Sequence, residues 1–177
     1  PIHIIFLELI MGPTCSIVFE NEPIEKNAMT QKPRPFTSTF FSWKELNISI
    51  LQGLMITLGV LGIYQYAVHQ GNSETETRTM VFLTLVTANI LLTLINRSFY
   101  YSILQTLRLK NNLVPIIIGI TILLTIALVT INPVEQFFGF SPLTYIELIP
   151  CISVGILSVI WFEVVKWTRR RNVKYKA

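Results

Sequence analysis

Five long apolar runs constrain this chain more than any other feature. They cover residues 2–19, 48–68, 80–101, 113–131 and 145–165. A helix needs about 20 mostly apolar residues to cross a bilayer. The fourth run, LVPIIIGITILLTIALVTI, meets that without a single charge. The first is shorter in effect, interrupted by Glu8, Gly12 and Pro13. It lacks a basic leading region and carries Glu in its middle, which argues against a signal peptide. With 51% hydrophobic and 14% charged residues, and a mean hydropathy of +0.56, the chain is too apolar for an ordinary soluble domain. No internal repeat is visible. The expected fold class is all-α, a polytopic membrane bundle of about five transmembrane helices, the first broken near Gly12 and Pro13.

Charge placement orients the spans. The 20–47 segment carries Lys26, Lys32, Arg34 and Lys44; the 96–112 segment carries Arg97, Arg108 and Lys110; the 166–177 tail carries six more basic residues, with TRRR at its start. On the other side stands Arg78 alone, and 132–144 has no Lys or Arg. The positive-inside rule then puts the 20–47 loop, the 96–112 loop and the C-terminus in the cytoplasm. The +4 net charge is therefore membrane-flanking, suited to anionic lipid and not to nucleic acid. Asn-x-Ser sequons at 47–49 and 96–98 fall on the cytoplasmic side, where glycosylation is not expected. Trp43, Trp161 and Trp167 suit an interfacial aromatic belt. The 20–47 loop, with Pro23, Pro33 and Pro35, reads as irregular, and is either a plain connector or a contact surface for a cytoplasmic domain.

Residue types exclude several chemistries. All ten acidic residues are Glu and none is Asp, so no aspartyl nucleophile, Asp–Mg²⁺ contact or Ser-His-Asp triad runs on this chain. Cys15 and Cys151 lie in apolar runs and read as buried thiols, not a disulfide framework. His3 and His69 lie near the outer interface, and no His/Cys set has metal-ligand spacing. The chain opens at Pro1 directly in apolar sequence, as expected for a piece of something longer.

A carboxylate inside a bilayer costs several kcal/mol, roughly 2.5–3.5 on insertion scales. Glu8 is thus the first candidate. Pro13 removes a backbone donor, Gly12 makes unwinding cheap, and Thr14 and Ser16 add hydroxyls. The expectation is a broken helix with free carbonyls near a carboxylate, a combination hard cations favour; the plainer alternative is a Glu near the headgroups beside a kink. Asn89, in the middle of the third run, is the second candidate. Its amide suits either a cation or an interhelical hydrogen bond, while Thr87 and Thr93 are expected to bond their own helix backbone. Gln52 reads as packing glue, Ser49-x-x-x-Gly53 as a small-residue face for close helix contact. Glu147 lies near one end of the fifth run and Glu163, spaced to meet Lys166 or Trp167, near the other as half of a solvated interfacial pair.

PIHIIFLELIMGPTCSIVFENEPIEKNAM resembles the sixth transmembrane segment and following loop of cation-transporting P-type ATPases, in the calcium-pump-like bacterial branch. TETRTMVFLTLVTANILLTLINRS resembles their eighth segment. The resemblance covers essentially the whole chain, 1–177, as segments six to ten, although the last two runs are only generically apolar. It implies that Glu8 falls where calcium pumps place an amide ligand, Met11 where they place a threonine, Gly12 where they place the key aspartate, and Asn89 where the animal endoplasmic pump places a glutamate. Glu8 and Asn89 keep oxygen ligands; Met11 and Gly12 lack them, which removes a charge and leaves both calcium at reduced stoichiometry and another cation open. ATP, Mg and the phosphorylated Asp would belong to other domains of the parent, and the remaining transmembrane helices and cytoplasmic domains would be this chain's partners, with membrane lipid around them. The expected location is the plasma membrane. The expected function is the membrane-domain part of an ATP-driven cation transporter, with no ATP chemistry of its own. The alternatives are a self-standing five-helix subunit or regulatory partner, and a secondary carrier, which the lack of inverted repeats disfavours.

Overall fold

The computed structural model describes residues 2–22, 43–98, 102–106 and 111–174. The proline-containing 23–42 stretch, residues 99–101 at the end of the third apolar run, the side chains of Met11, Pro13 and Thr14, and the tail side chains from Arg169 onward lie outside the described residues. Within those described, the chain forms seven helices and no strand: α1 (Ile2–Glu20), α2 (Trp43–Gln70), α3 (Glu74–Asn96), α4 (Ile103–Thr106), α5 (Leu113–Thr130), α6 (Asn132–Phe138) and α7 (Tyr145–Lys174). Four of them, α2, α3, α5 and α7, are long and apolar enough to cross a membrane. The 19-residue α1 reaches about 28 Å at the usual helical rise.

Helix is the state this composition demands. In hydrocarbon, every backbone N–H and C=O needs an internal partner, and a helix supplies it within one segment. The ends use local chemistry. Ser73 caps α3 in a reciprocal capping box with Glu76, which lets the helix begin at Glu74, ahead of the apolar run. At the other end Arg97 is the C-cap, so α3 stops short of 101. Gly139 ends α6 in the left-handed region (φ 61°, ψ 41°), where a glycine has no Cβ to clash. α7 continues past the apolar run, through Pro150, as far as Lys174.

The break expected near Gly12 and Pro13 is not present: α1 is one continuous helix from Ile2 to Glu20. A proline deletes a single backbone donor, and unwinding further would free more groups than hydrocarbon can satisfy. The Ser16 hydroxyl donates to the Gly12 carbonyl at 3.1 Å, so that oxygen is occupied by its own helix.

α3 is the hub. It packs against α7 and α2, and less extensively against α1 and α5. Three apolar clusters share it. Phe82 and Val86 meet Leu128, Val129 and Phe140; Met80 meets Ile63, Ala67 and Cys151; Ala88 and Ile95 meet Val159 and Phe162. Close approach depends on two glycines. A Cβ at Gly155 would lie 2.9 Å from Thr87 Cβ and 3.1 Å from the Thr84 carbonyl oxygen, and one at Gly59 would lie 3.2 Å from Ser158 Cβ. The small-residue seam expected at Ser49 and Gly53 is instead here, since Gly53 faces open space.

Polar ties fall at the two ends of the bundle. At one end, Asn72 Nδ2 donates to Glu147 Oε1 at 2.9 Å, Arg78 Nη1 to the Gly139 carbonyl at 3.2 Å, and the Ser141 amide to Thr79 Oγ1 at 3.0 Å. At the other, Gln52 Nε2 donates to Asn96 Oδ1 at 3.1 Å, and Asn96 Nδ2 returns a longer bond to Gln52 Oε1 at 3.4 Å. Glu163 does meet Lys166, at 3.1 Å, but the pair is not solvated as expected. Lys166 is 2% exposed, donates to the Ile95 carbonyl, and lies 5.5 Å from the Phe162 ring centroid. A cation there serves the carbonyl-rich C-terminal end of α3.

Two outcomes are expected. Gly155→Ala should destabilise the bundle by about 1–3 kcal/mol through overpacking, while Gly119→Ala, with open space around it, should not; thermal unfolding in detergent reads both. Lys166→Met should cost about 1.5–3 kcal/mol, the worth of hydrogen bonds to a charged group, and Lys166→Arg should recover part of that in the same assay.

Candidate functional site

Glu8, the first sequence candidate, is placed by α1 on an exposed stripe that also carries Gly12 and Ser16. The spacing of four puts all three on one helix face. A Cβ added at Gly12 would meet nothing within 4 Å, so the backbone itself is accessible along this stripe. Among the described residues the Glu8 carboxylate has no hydrogen bond or ion pair. It borders a cavity of about 380 Å³ between α1 and α3. Leu7, Phe82 and Leu85 supply apolar wall, and His3 and Arg78 are the other polar residues lining it. Arg78 is committed elsewhere, at 2.8 Å from Glu74 and bonded to Gly139. His3 donates through Nε2 to the Phe138 carbonyl, its ring tilted 4.9 Å from Phe140.

Asn89 lies half-buried on α3. Its Nδ2 donates to the Leu85 carbonyl at 3.0 Å, which occupies one of the amide's donors. Its own carbonyl accepts from Thr93 Oγ1 at 2.9 Å. Thr93 Oγ1 is also 3.1 Å from Cys15 Sγ. Since the Thr93 proton goes to Asn89, the thiol is the donor in the second contact. Cys15 therefore does more than fill space: it joins α1 to α3 one helical turn from Asn89. No hydrogen bond joins Glu8 to Asn89 among the described residues, so the two candidates occupy neighbouring helices without touching. No group of three or more His, Cys or Glu side chains is placed to hold a metal among the described residues.

The most extensively hydrogen-bonded charged group among the described residues is one that periodicity does not reveal. Arg97, with its side chain 1% exposed, makes a two-pronged pair with Glu22, 13% exposed. Nε reaches Oε2 at 3.0 Å and Nη2 reaches Oε1 at 2.9 Å. Asn111 Nδ2 donates to Glu22 Oε2 at 3.1 Å and to the Val18 carbonyl at 3.3 Å. Asn111 Oδ1 accepts from the Leu113 amide at 3.2 Å. One carboxylate thus fastens the C-terminal ends of α1 and α3 to the start of α5. In the sequence these residues stand among other charged and amide residues that flank apolar runs. Only their separation in the chain, not any motif, distinguishes them, and that gives no pairing.

A lightly packed helix whose Glu8 carboxylate has no partner among the described residues, four helices of membrane length with α3 as their hub, and polar ties at both ends describe a membrane domain. Comparison with individually curated proteins gives no match. A family model described as "Cation transporting ATPase, C-terminus" matches residues 1–168. The chain belongs to that family, and is the membrane part of a cation-transporting ATPase.

Proposed function

We propose that this domain contributes part of the cation path of an ATP-driven pump, with the Glu8 carboxylate as a ligand and Asn89 Oδ1 as a second oxygen on the adjacent helix. The observation that carries this reading is Glu8 on α1, exposed and without a hydrogen bond or ion pair among the described residues. A carboxylate at that depth is costly unless it faces an ion path or another protein surface. The open stripe of Glu8, Gly12 and Ser16 is where the remaining transmembrane helices of the ATPase would close the site. Gly12 and Met11 add no side-chain carboxylate, so the site would hold less negative charge than one built around an aspartate, which fits calcium at reduced stoichiometry or a less charge-demanding cation. Because α1 is continuous, the ligand oxygens would come from side chains and not from an unwound backbone.

ATP and Mg would act in the cytoplasmic domains of the same ATPase, and this chain would transmit their effect. The 20–47 segment would face those domains. Thirteen of the fourteen basic residues lie on one side of the membrane in this arrangement, which supports a cytoplasmic C-terminus in the plasma membrane with the TRRR cluster at anionic lipid.

Three measurements test this reading. In the complete ATPase, Glu8→Gln should raise the cation concentration for half-maximal phosphorylation by about tenfold or more, comparable to the loss of about 1.4 kcal/mol or more of binding; an unchanged titration removes Glu8 from the path. Asn89→Leu should shift the same titration less. Lower accumulation with unaltered cation affinity would instead make Asn89 an interhelical packing residue. A tag after Ala177 should resist external protease in intact cells and be cut after permeabilisation; cutting in intact cells inverts the topology.

A further inference from the structure

The proposed path leaves one polar contact of the α1–α3 seam unused. Cys15 Sγ lies 3.1 Å from Thr93 Oγ1. Among the described residues this is the one hydrogen bond that joins α1 to α3 within their spans. Its direction follows from the neighbouring bond. The Thr93 hydroxyl spends its proton on the Asn89 carbonyl at 2.9 Å, so the thiol donates and the hydroxyl accepts. The contact stands where α1 is best packed. Val18, about one turn further on, is buried, whereas Ile4, Ile5, Glu8 and Gly12 are exposed. Toward the start of α1, a cavity of about 380 Å³ bordered by Glu8 lies between it and α3.

Spacing ties this contact to both candidate ligands. Glu8 and Cys15 are seven residues apart, and Asn89 and Thr93 are four apart. Both spacings return to the same helix face. The two helices also run in the same direction: His3 and Arg78 line one cavity near their starts, and Glu22 meets Arg97 past their ends. At the helical rise, Glu8 lies about 10 Å up α1 from Cys15 and Asn89 about 6 Å up α3 from Thr93. The two candidates are therefore offset along the seam by about 4 Å. Two oxygens on one hard cation can stand that far apart, since each lies about 2.3–2.6 Å from a calcium ion.

We infer that Cys15 and Thr93 are positioning residues of the cation path: their hydrogen bond sets the register of α1 on α3 at which the Glu8 carboxylate and Asn89 Oδ1 reach one cation. The inference rests on the proposed roles of Glu8 and Asn89. Between apolar helices in a bilayer, only close packing and hydrogen bonds resist sliding. α1 has little of the first against α3, so this one bond carries much of the register. It also acts on Asn89 directly, because the hydroxyl that accepts from Cys15 is the one that holds the Asn89 carbonyl.

The test is made with the complete ATPase in native membranes. Calcium, manganese and sodium are titrated in turn, and the one that drives phosphorylation of the wild type is kept as the probe. Cys15→Ala and Thr93→Val remove the bond. Each should raise the probe concentration for half-maximal phosphorylation by about two- to tenfold, the range that one neutral hydrogen bond spans, and leave the maximal level unchanged. Cys15→Ser and Thr93→Ser keep a hydroxyl at each place and should recover most of the loss. The double variant should shift the titration no further than the larger single variant, because one contact is lost only once. A further readout uses the wild type: saturating probe cation should slow alkylation of Cys15 by N-ethylmaleimide, measured as added mass on the peptide that contains it, since a cation held by Glu8 and Asn89 keeps the seam closed. If Glu8→Gln shifts the titration while accumulated Cys15→Ala and Thr93→Val match the wild type, the positioning role is overturned and the contact only packs. Shifts that multiply in the double variant overturn it as well, because the two residues then act separately. If the alanine and valine variants fail to accumulate, alkylation decides, and equal rates with and without the probe overturn the role. If Glu8→Gln leaves the titration unchanged, the cation path itself is misplaced and the inference falls with it.

Discussion

The bilayer offers no water to a polar group, and the arrangement of this domain follows from that. Each backbone must close its own hydrogen bonds, which makes every described long segment a helix, and each polar side chain must find a partner or an end of the bundle where water begins. The threonines of the spans solve this within their own helices: Thr84, Thr121 and Thr125 donate to carbonyls four residues earlier. The charged residues solve it at the ends, where Arg97 finds Glu22 and Lys166 finds Glu163 and the end of α3. The middle of the bundle is left to apolar clusters. Against this pattern Glu8 stands out, because it lies well inside the apolar helix α1 and has no partner among the described residues.

α3 makes the arrangement cohere. Between lipid-like side chains there is no hydrophobic drive to associate, so helices in a membrane adhere through close packing and hydrogen bonds. Gly155 and Gly59 supply the closeness, letting α7 lie against the threonine face of α3 and against α2. Gln52 with Asn96, and Lys166 with Ile95, supply the bonds at the same end. α1 shares little of this. It touches α3 and α5 sparingly and leaves a broad face of Ile4, Ile5, Glu8, Gly12 and Ser16 exposed. The α2–α3–α7 unit is thus tightly packed, and α1 is held to it more lightly.

The candidate residues, as distinct from their roles, were legible from residue type and place in the apolar runs. Glu8 and Asn89 announce themselves because a carboxylate or a free amide is rare in an apolar run, and Gln52 reads correctly as an interhelical bond for the same reason. Gly12 and Pro13 misled in one respect. Both residues favour a broken helix when considered locally, yet α1 runs through them, because hydrocarbon charges more for an opened turn than for one absent donor. Lys166 was placed beside Glu163 by spacing, but its burial came from α3, which spacing along α7 does not register.

What the sequence determined by itself was the class: lengths of apolar run set helices of membrane length, since each depends on one segment at a time. What only the tertiary structure decided was which ends meet. Arg97 and Asn111 lie 75 and 89 residues from their shared partner Glu22, and nothing local to any of them encodes the others. The choice of Gly155 and Gly59 over Gly53 as the sites of close contact is likewise a property of helix rotation and crossing, which side-chain packing sets collectively and no single segment carries.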